Sequence, residues 1–375
     1  MMKRAACVLM AFLANSANAF TAPSPLLSSS QAGRSRRTEL YHHAEGDISP
    51  RNVLLIGGTR FSGLYVWQEL VKRGHKVTLF NRGKTALKQI PGETDEEFEH
   101  RKSSTTFVTG DRQDPESLAQ LKDMDFNVVY DMNGRERSDT QPLADMFKGK
   151  LEHFVYMSSA GVYLKSDSMP HREGDATDPK CRHKGKLDTE QYLVESGVPF
   201  TSFRPTYICG PLNYNPVEEM FFERIDAGRP VCVPGHGEHL TGLGHVKDLA
   251  VAFVNVIGKD HVKGRYYNMQ CPKAVSFDGA VRLAAEAAGK DPKSVEIVHY
   301  NPKDYDFGKK KAFPFRPQHF FASVEDAQRD LNWTPKYTNK DIFEDFYKND
   351  FLAKKAAGGL KGDFGADDMV LAKLK

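Results

Sequence analysis

The stretch NVLLIGGTRFSG, Asn52–Gly63, decides the fold. Asn52–Ile56 is an apolar run of strand length. Gly57 and Gly58 break it, and Leu64, Trp67, Leu70 and Val71 then recur at helical spacing up to Gly74. Strand, glycine turn and helix open a βαβ unit, and the unit repeats outward along the chain. KVTLFN (Lys76–Asn81), TTFVTG (Thr105–Gly110), FNVVYDM (Phe126–Met132), HFVYMSS (His153–Ser159) and FTSFRP (Phe200–Pro205) read as further strands, several of them separated by amphipathic stretches. The expected class is α/β with a doubly wound, parallel, Rossmann-like sheet over 51–210. The charged segment Gly92–Ser104 reads as a solvated surface excursion. Beyond Gly210 the pattern loosens into helical runs at Pro216–Ala227, Val246–Ile257 and Ser276–Ala288. A smaller C-terminal lobe over 211–350, interleaved with the first part and followed by a tail at 351–375, would roof the carboxyl ends of the strands, where such sheets bind ligands.

The glycine turn resembles the G-x-x-G-x-x-G loop of extended short-chain dehydrogenases/epimerases, whose glycines let the backbone approach a pyrophosphate and the helix pack on the strand. Gly57 and Gly63 hold the outer positions, with Gly58 and Thr59 between them, and Arg60 stands at the middle one. That guanidinium either blocks close approach or clamps a phosphate. Asn81-Arg82 follows the second strand, where an acid would hold the ribose of NAD, so NADP is the expected dinucleotide if one binds. Asp111-Arg112 follows the third strand, in position to meet the adenine. A loop that only packs the helix is the alternative.

Short-chain dehydrogenases pair a Tyr with a Lys four residues on, after a strand bearing Ser or Thr, and the Lys lowers the Tyr pKa for proton transfer. MSSAGVY supplies Ser158 and Ser159. If Lys186 is that Lys, the Tyr position holds Arg182, which stays protonated and cannot shuttle a proton. Lys180, Arg182, His183, Lys184 and Lys186 instead form a basic run with no acid from Lys180 to Leu187. Such side chains bind phosphodiesters, and a basic run at a helix start opposes the macrodipole; a solvated face is the alternative.

A second basic stretch, GKKKAFPFRPQHFF (Gly308–Phe321), carries Lys309, Lys310, Lys311 and Arg316. Its Phe313, Phe315, Phe320 and Phe321 stack unpaired bases or, as the better reading, pack a core. His236, His239 and His245 could be imagined as metal ligands, but a structural role fits them and Asp248 better. Asp111 and Asp131, at strand ends, could recruit Mg²⁺ with a phosphate.

The 375 residues, 40% hydrophobic and 27% charged, exclude global disorder and a fibre. The net charge of +3 belongs to the leader. Residues 1–38 hold five basic residues and no acid; without them 47 basic residues face 49 acidic ones, a net of −2. RNA would therefore need a local patch. Five scattered cysteines make neither a disulfide framework nor a zinc site, and suggest a reduced compartment. Lys3 and Arg4, the short apolar run Ala5–Leu13 and Ala17-Asn18-Ala19 read as a signal peptide, 1–19. The run is too short to span a bilayer. The Ser- and Arg-rich segment 20–45 reads as a transit peptide, and the junction ANAF-TAP resembles bipartite plastid presequences of algae with secondary plastids. A secreted protein with a basic propeptide is the alternative.

CRHKGKLDTE, RPTYICGPLNYNPVEEMFF, LGHVKDLA, VHYNPKDYDFGKKKAFPFRPQHFFASVE and DFGADDMVLAK together resemble the chloroplast stem-loop binding proteins of b type, an atypical branch of the extended short-chain dehydrogenase/epimerase superfamily. The resemblance runs from Arg51 to the C-terminus. It implies a plastid RNA-binding protein that supports transcript and ribosomal RNA stability or processing, self-associates, and has metal-stimulated endonuclease activity on stem-loops. It identifies no nuclease residue. A NADP-dependent sugar-nucleotide or carbonyl enzyme with displaced acid/base chemistry is the competing expectation, and a structural protein with an unused pocket is a third.

Overall fold

The structure, a computed structural model, describes residues 49–360 and 362–374. The signal and transit segments lie outside them. Seven strands, β1 (Asn52–Ile56), β2 (Lys76–Asn81), β3 (Thr105–Thr109), β4 (Val128–Asp131), β5 (His153–Met157), β6 (Phe200–Pro205) and β7 (Arg265–Met269), form one sheet. Its order is β7-β6-β5-β4-β1-β2-β3, and every pair is parallel. The strand order reverses between β1 and β4, which opens the crevice where dinucleotides bind in such sheets.

Both faces of the sheet's central strands are covered, which is why they read as nearly continuous apolar runs, whereas the edge strand β3 is largely exposed. Leu54, Ile56, Phe80, Val129, Phe154 and Tyr156 join one cluster with Leu143, Phe147, Tyr192 and Leu193. Those partners belong to, or directly follow, helices α4 (Arg137–Met146) and α5 (Lys184–Ser196). Val53 and Leu55, which alternate with them, are equally buried, and α1 (Phe61–Lys72) packs on α7 (Val246–Val254).

Gly92–Ser104 departs from expectation. It contains helix α2 (Asp95–Ser103), started by a capping box between Thr94 and Glu97. Arg101 and Glu93 form an ion pair at 2.7 Å with both side chains almost fully buried, and Arg101 also lies 4.2 Å over the Trp67 ring. The short helix α3 (Pro115–Ala119) follows β3.

The later chain builds a second apolar cluster. Helices α6 (Glu219–Asp226), α8 (Phe277–Ala287) and α10 (Asn339–Phe346) contribute Phe221, Phe222, Phe277, Phe343 and Phe346, and Phe313 and Phe315 complete it. These Phe are core, as is Phe320 in a smaller cluster. Helix α9 (Glu325–Leu331) precedes α10, which passes through one π turn into α11 (Leu352–Ala356). The last helix, α12 (Gly365–Leu374), is tied down by Arg224. Its guanidinium meets Asp367 at 2.6 Å with both side chains at 2% exposure or less. Contacts tie Ser49 to the C-terminus into one unit.

Candidate functional site

The glycine loop has the backbone that a pyrophosphate needs. Gly57 has φ +82°, a conformation that favours glycine. A Cβ on Gly63 would stand 2.1 Å from the Gly57 carbonyl oxygen, so only glycine lets α1 start this close to β1. No side chain caps α1 and no acid lies in its first turn. Phe61, in the same turn, holds φ +37°, a strained value of the kind that gathers at functional sites. Arg60 is exposed and lies 4.5 Å over the ring of Tyr214, an exposed residue that sequence reasoning did not single out. Arg82 is exposed and has no carboxylate at ion-pair distance among the described residues; Asn81 accepts the Gly83 amide at 2.7 Å. The loop, the open helix start and two available guanidinia fit a dinucleotide with an extra phosphate.

Two expectations at the strand ends need correction. Arg112 does not face a ligand. It donates to both oxygens of Asp131 at 2.8 and 2.6 Å, and to the Asp139 carbonyl and Asn133. Asp131 cannot take Mg²⁺ with Asp111, because it is fully buried and also accepts from Thr140 at 2.7 Å and the Gly134 amide at 2.9 Å. Burial works to raise the Asp131 pKa, and Arg112 with these donors overrides it and holds the carboxyl below its usual range. Asp111 itself accepts the Gln113 amide in a local turn. Among the described residues no group of three or more His, Cys, Asp or Glu is placed to hold a metal ion.

Lys186 is not a surface phosphate contact either. Its amine donates to the Met157 carbonyl at the end of β5 and to the Gly134 carbonyl at 3.3 Å. Burial lowers its pKa to about 8, against the pull of Asp131 and Glu190. Tyr156 shares the Gly134 carbonyl, donating to it at 3.1 Å, and its ring centre lies 5.4 Å from the amine. Tyr156 is fully buried within the sheet's apolar cluster, and burial pushes its phenol far above the ordinary value. Arg182 precedes α5 rather than riding on it, so it does not stand one helical turn behind Lys186. Ser159 accepts the Gly161 amide at 3.0 Å and caps a short turn, whereas the Ser158 hydroxyl is buried without a partner.

The two basic stretches meet. A Cβ on Gly161 would stand 2.4 Å from the His183 ring and 2.7 Å from the Arg316 guanidinium, so both side chains converge on that glycine. Arg182 donates to His183 Nε2 at 3.1 Å. Burial, then Arg182, Arg316 and Lys186, press the His183 pKa down to about 4. Burial and Arg182 likewise lower the pKa of Lys311, and burial and Arg182 outweigh Tyr207 at Arg316. Arg182, Lys311 and Arg316 have no ion-pair partner among the described residues; Glu219, near Lys311, pairs with Lys354. Lys180 and Lys309 are exposed at the margin. Besides Lys186, two expected members leave the cluster: Lys184 pairs with Asp188 one turn on, and Lys310 reaches toward the Gly365 carbonyl at 3.5 Å.

Of the three histidines, His245 has the structural role expected of it, as does Asp248. His245 caps α7, stacks on Tyr337 and bonds Asp345 at 2.9 Å, while Asp248 accepts the Lys336 and Tyr337 amides.

A model of the NAD dependent epimerase/dehydratase family matches residues 53–269. The chain is also 51% identical over 328 residues to the chloroplast stem-loop binding protein of 41 kDa b of Arabidopsis thaliana, covering 87% of this chain and 85% of that one. The chain belongs to that family, in the branch of the b-type stem-loop binding proteins. Among solved structures, the UDP-glucose 4-epimerase of Thermotoga maritima superposes with a TM-score of 0.64 at 18% identity, covering 81% of this chain and 99% of that one. The dTDP-glucose 4,6-dehydratase of Bacillus anthracis, in complex with NAD, does so with a TM-score of 0.62 at 18% identity, covering 80% and 97%. At that identity the likeness shows the fold.

Proposed function

We propose that the protein binds stem-loop RNA in the plastid, on an epimerase fold whose phenol–lysine proton shuttle has been lost. One observation carries the reading: Arg182, Lys311 and Arg316, from segments over 120 residues apart in sequence, come close enough for Arg182 to press on the other two charges, with Arg316 against Gly161 at the carboxyl end of the sheet and no carboxylate partner for any of the three among the described residues. Confining like charges costs free energy that a polyanion returns. The name of the Arabidopsis relative supports RNA and plastid alike. In this reading residues 1–45 direct import to the stroma, and the mature chain self-associates. Divalent metal that stimulates cleavage would arrive with the RNA phosphates, since the described residues hold no preformed cluster.

Binding of a stem-loop RNA measured over a salt series tests this. Each phosphate contact contributes roughly 0.7–0.9 to the slope of log K against log salt, so alanine at Arg182, Lys311 and Arg316 together should flatten it by about two. An unchanged slope in the triple variant overturns the assignment of the cluster.

A second reading, a NADP-dependent epimerase or reductase, draws on the glycine loop, Arg82 and the depressed Lys186 pKa. It needs a phenol that reaches substrate. Tyr156, the tyrosine beside Lys186, is sealed in the core. Turnover of a sugar nucleotide with NADP, lost in Lys186→Met, would establish it.

A further inference from the structure

The glycine loop and the cationic cluster adjoin. The Asn133 side chain sits over Gly57, where a Cβ would come within 2.8 Å of it. The next residue, Gly134, accepts Lys186. Gly185 packs so closely on the same loop that a Cβ would stand 2.1 Å from Glu136. Lys186 and Arg316 both bear on His183, which touches Gly161. An unbroken line of contacts thus runs along the carboxyl ends of β1, β4 and β5, which are neighbours in the sheet. At the usual strand spacing the line is about 10 Å long. A dinucleotide with its pyrophosphate on the glycine loop lies across the crevice between β1 and β4. Its second nucleotide then falls over β4 and β5, beside His183 and Arg182.

We infer that the two sites are one groove, that a dinucleotide and an RNA strand exclude each other from it, and that NADP-type dinucleotides therefore regulate RNA binding by competition. The inference rests on the RNA-binding reading above. Arg82 and Arg60 supply the selectivity. They lie on the β1–β2 side, where the extra phosphate of NADP would sit, beyond the stretch shared with RNA. Arg182 marks the shared stretch, so occupancy of either kind neutralises the same charge.

The test is displacement of a fluorescent stem-loop RNA from the purified protein at constant ionic strength, using NADPH, NADH and inorganic pyrophosphate. NADPH should release all the RNA, at a half-point that rises in proportion to RNA concentration. NADH should need more, and pyrophosphate far more. Arg82→Ala should raise the NADPH half-point about tenfold and erase the preference over NADH. Saturable NADPH binding, followed by its own fluorescence, with RNA still bound overturns the inference and leaves the RNA reading standing. So does a failure of NADPH to bind. Equal potency of pyrophosphate and NADPH also overturns it, because charge alone would then explain release. Absence of RNA binding before any dinucleotide is added overturns the RNA reading itself.

Discussion

Asp131→Asn probes the floor of the groove. Asp131 is fully buried at the end of β4 and neutralises Arg112, whose side chain is 10% exposed. The amide keeps the volume but removes the charge, and turns an NH₂ toward the donors of Arg112 or Thr140. An interior guanidinium left without its counter-ion costs about 3–5 kcal/mol. Removing both charges, as in Arg112→Met/Asp131→Asn, should recover about 2–3 kcal/mol of the summed single effects. Urea unfolding followed by tryptophan fluorescence reads this directly, because Trp67 and Trp333 are both buried. The folded-state pKa of Asp131 lies below its unfolded value of 3.8, so the carboxylate's contribution is complete above about pH 4 and is lost as pH falls through the folded value. The gap between wild type and variant should close in that acidic range. A variant within about 1 kcal/mol of wild type at neutral pH would refute the reasoning. Stabilisation of wild type by millimolar Mg²⁺ that vanishes in the variant would refute it too, and would restore Asp131 as a metal ligand.

Other outcomes follow from the same geometry. Gly63→Ala must push a Cβ against the Gly57 carbonyl oxygen, so it should lower stability by about 1–3 kcal/mol and abolish NADPH binding measured by fluorescence. Lys184→Ala should change RNA affinity by less than about twofold, because Asp188 already meets its charge, whereas Arg182→Ala should flatten the salt slope. His183 should titrate near pH 4 by NMR in the free protein and move toward its ordinary 6.5 when RNA phosphates surround it. Its folded pKa lies below the unfolded one, so its contribution to stability falls as pH drops from 6.5 toward 4, while RNA affinity rises over the same range. A midpoint unmoved by RNA would place the phosphates elsewhere.

The sheet was legible where both faces of a strand are buried: β1, β2 and β6 match apolar runs residue for residue. Helix α2 was misread because seven of its nine residues, Asp95–Ser103, are charged or His, although the capping-box pattern Thr94-x-x-Glu97 was there to be found. The burial of Arg101 had no local signal, since Glu93 and Trp67 reach it only in the fold. In the site, the residue types were readable and their pairing was not. Arg112 and Lys186 look alike in sequence as free cations, yet one is locked to Asp131 and the other to strand-end carbonyls. The meeting of residues 182–183 with 311–316 depends on how the later chain crosses the sheet, which no local pattern encodes.

Protein synthesis is vectorial, and the counter-charge for Arg224 comes from Asp367, far downstream in the chain. The helix that carries the cation is complete about 140 residues earlier. Until Asp367 is made, the carboxylate at hand for that guanidinium is Glu223, 3.6 Å away. A product that stops short of Asp367 therefore leaves an interior guanidinium without its main counter-charge, so the early helix α6 depends on a residue made much later.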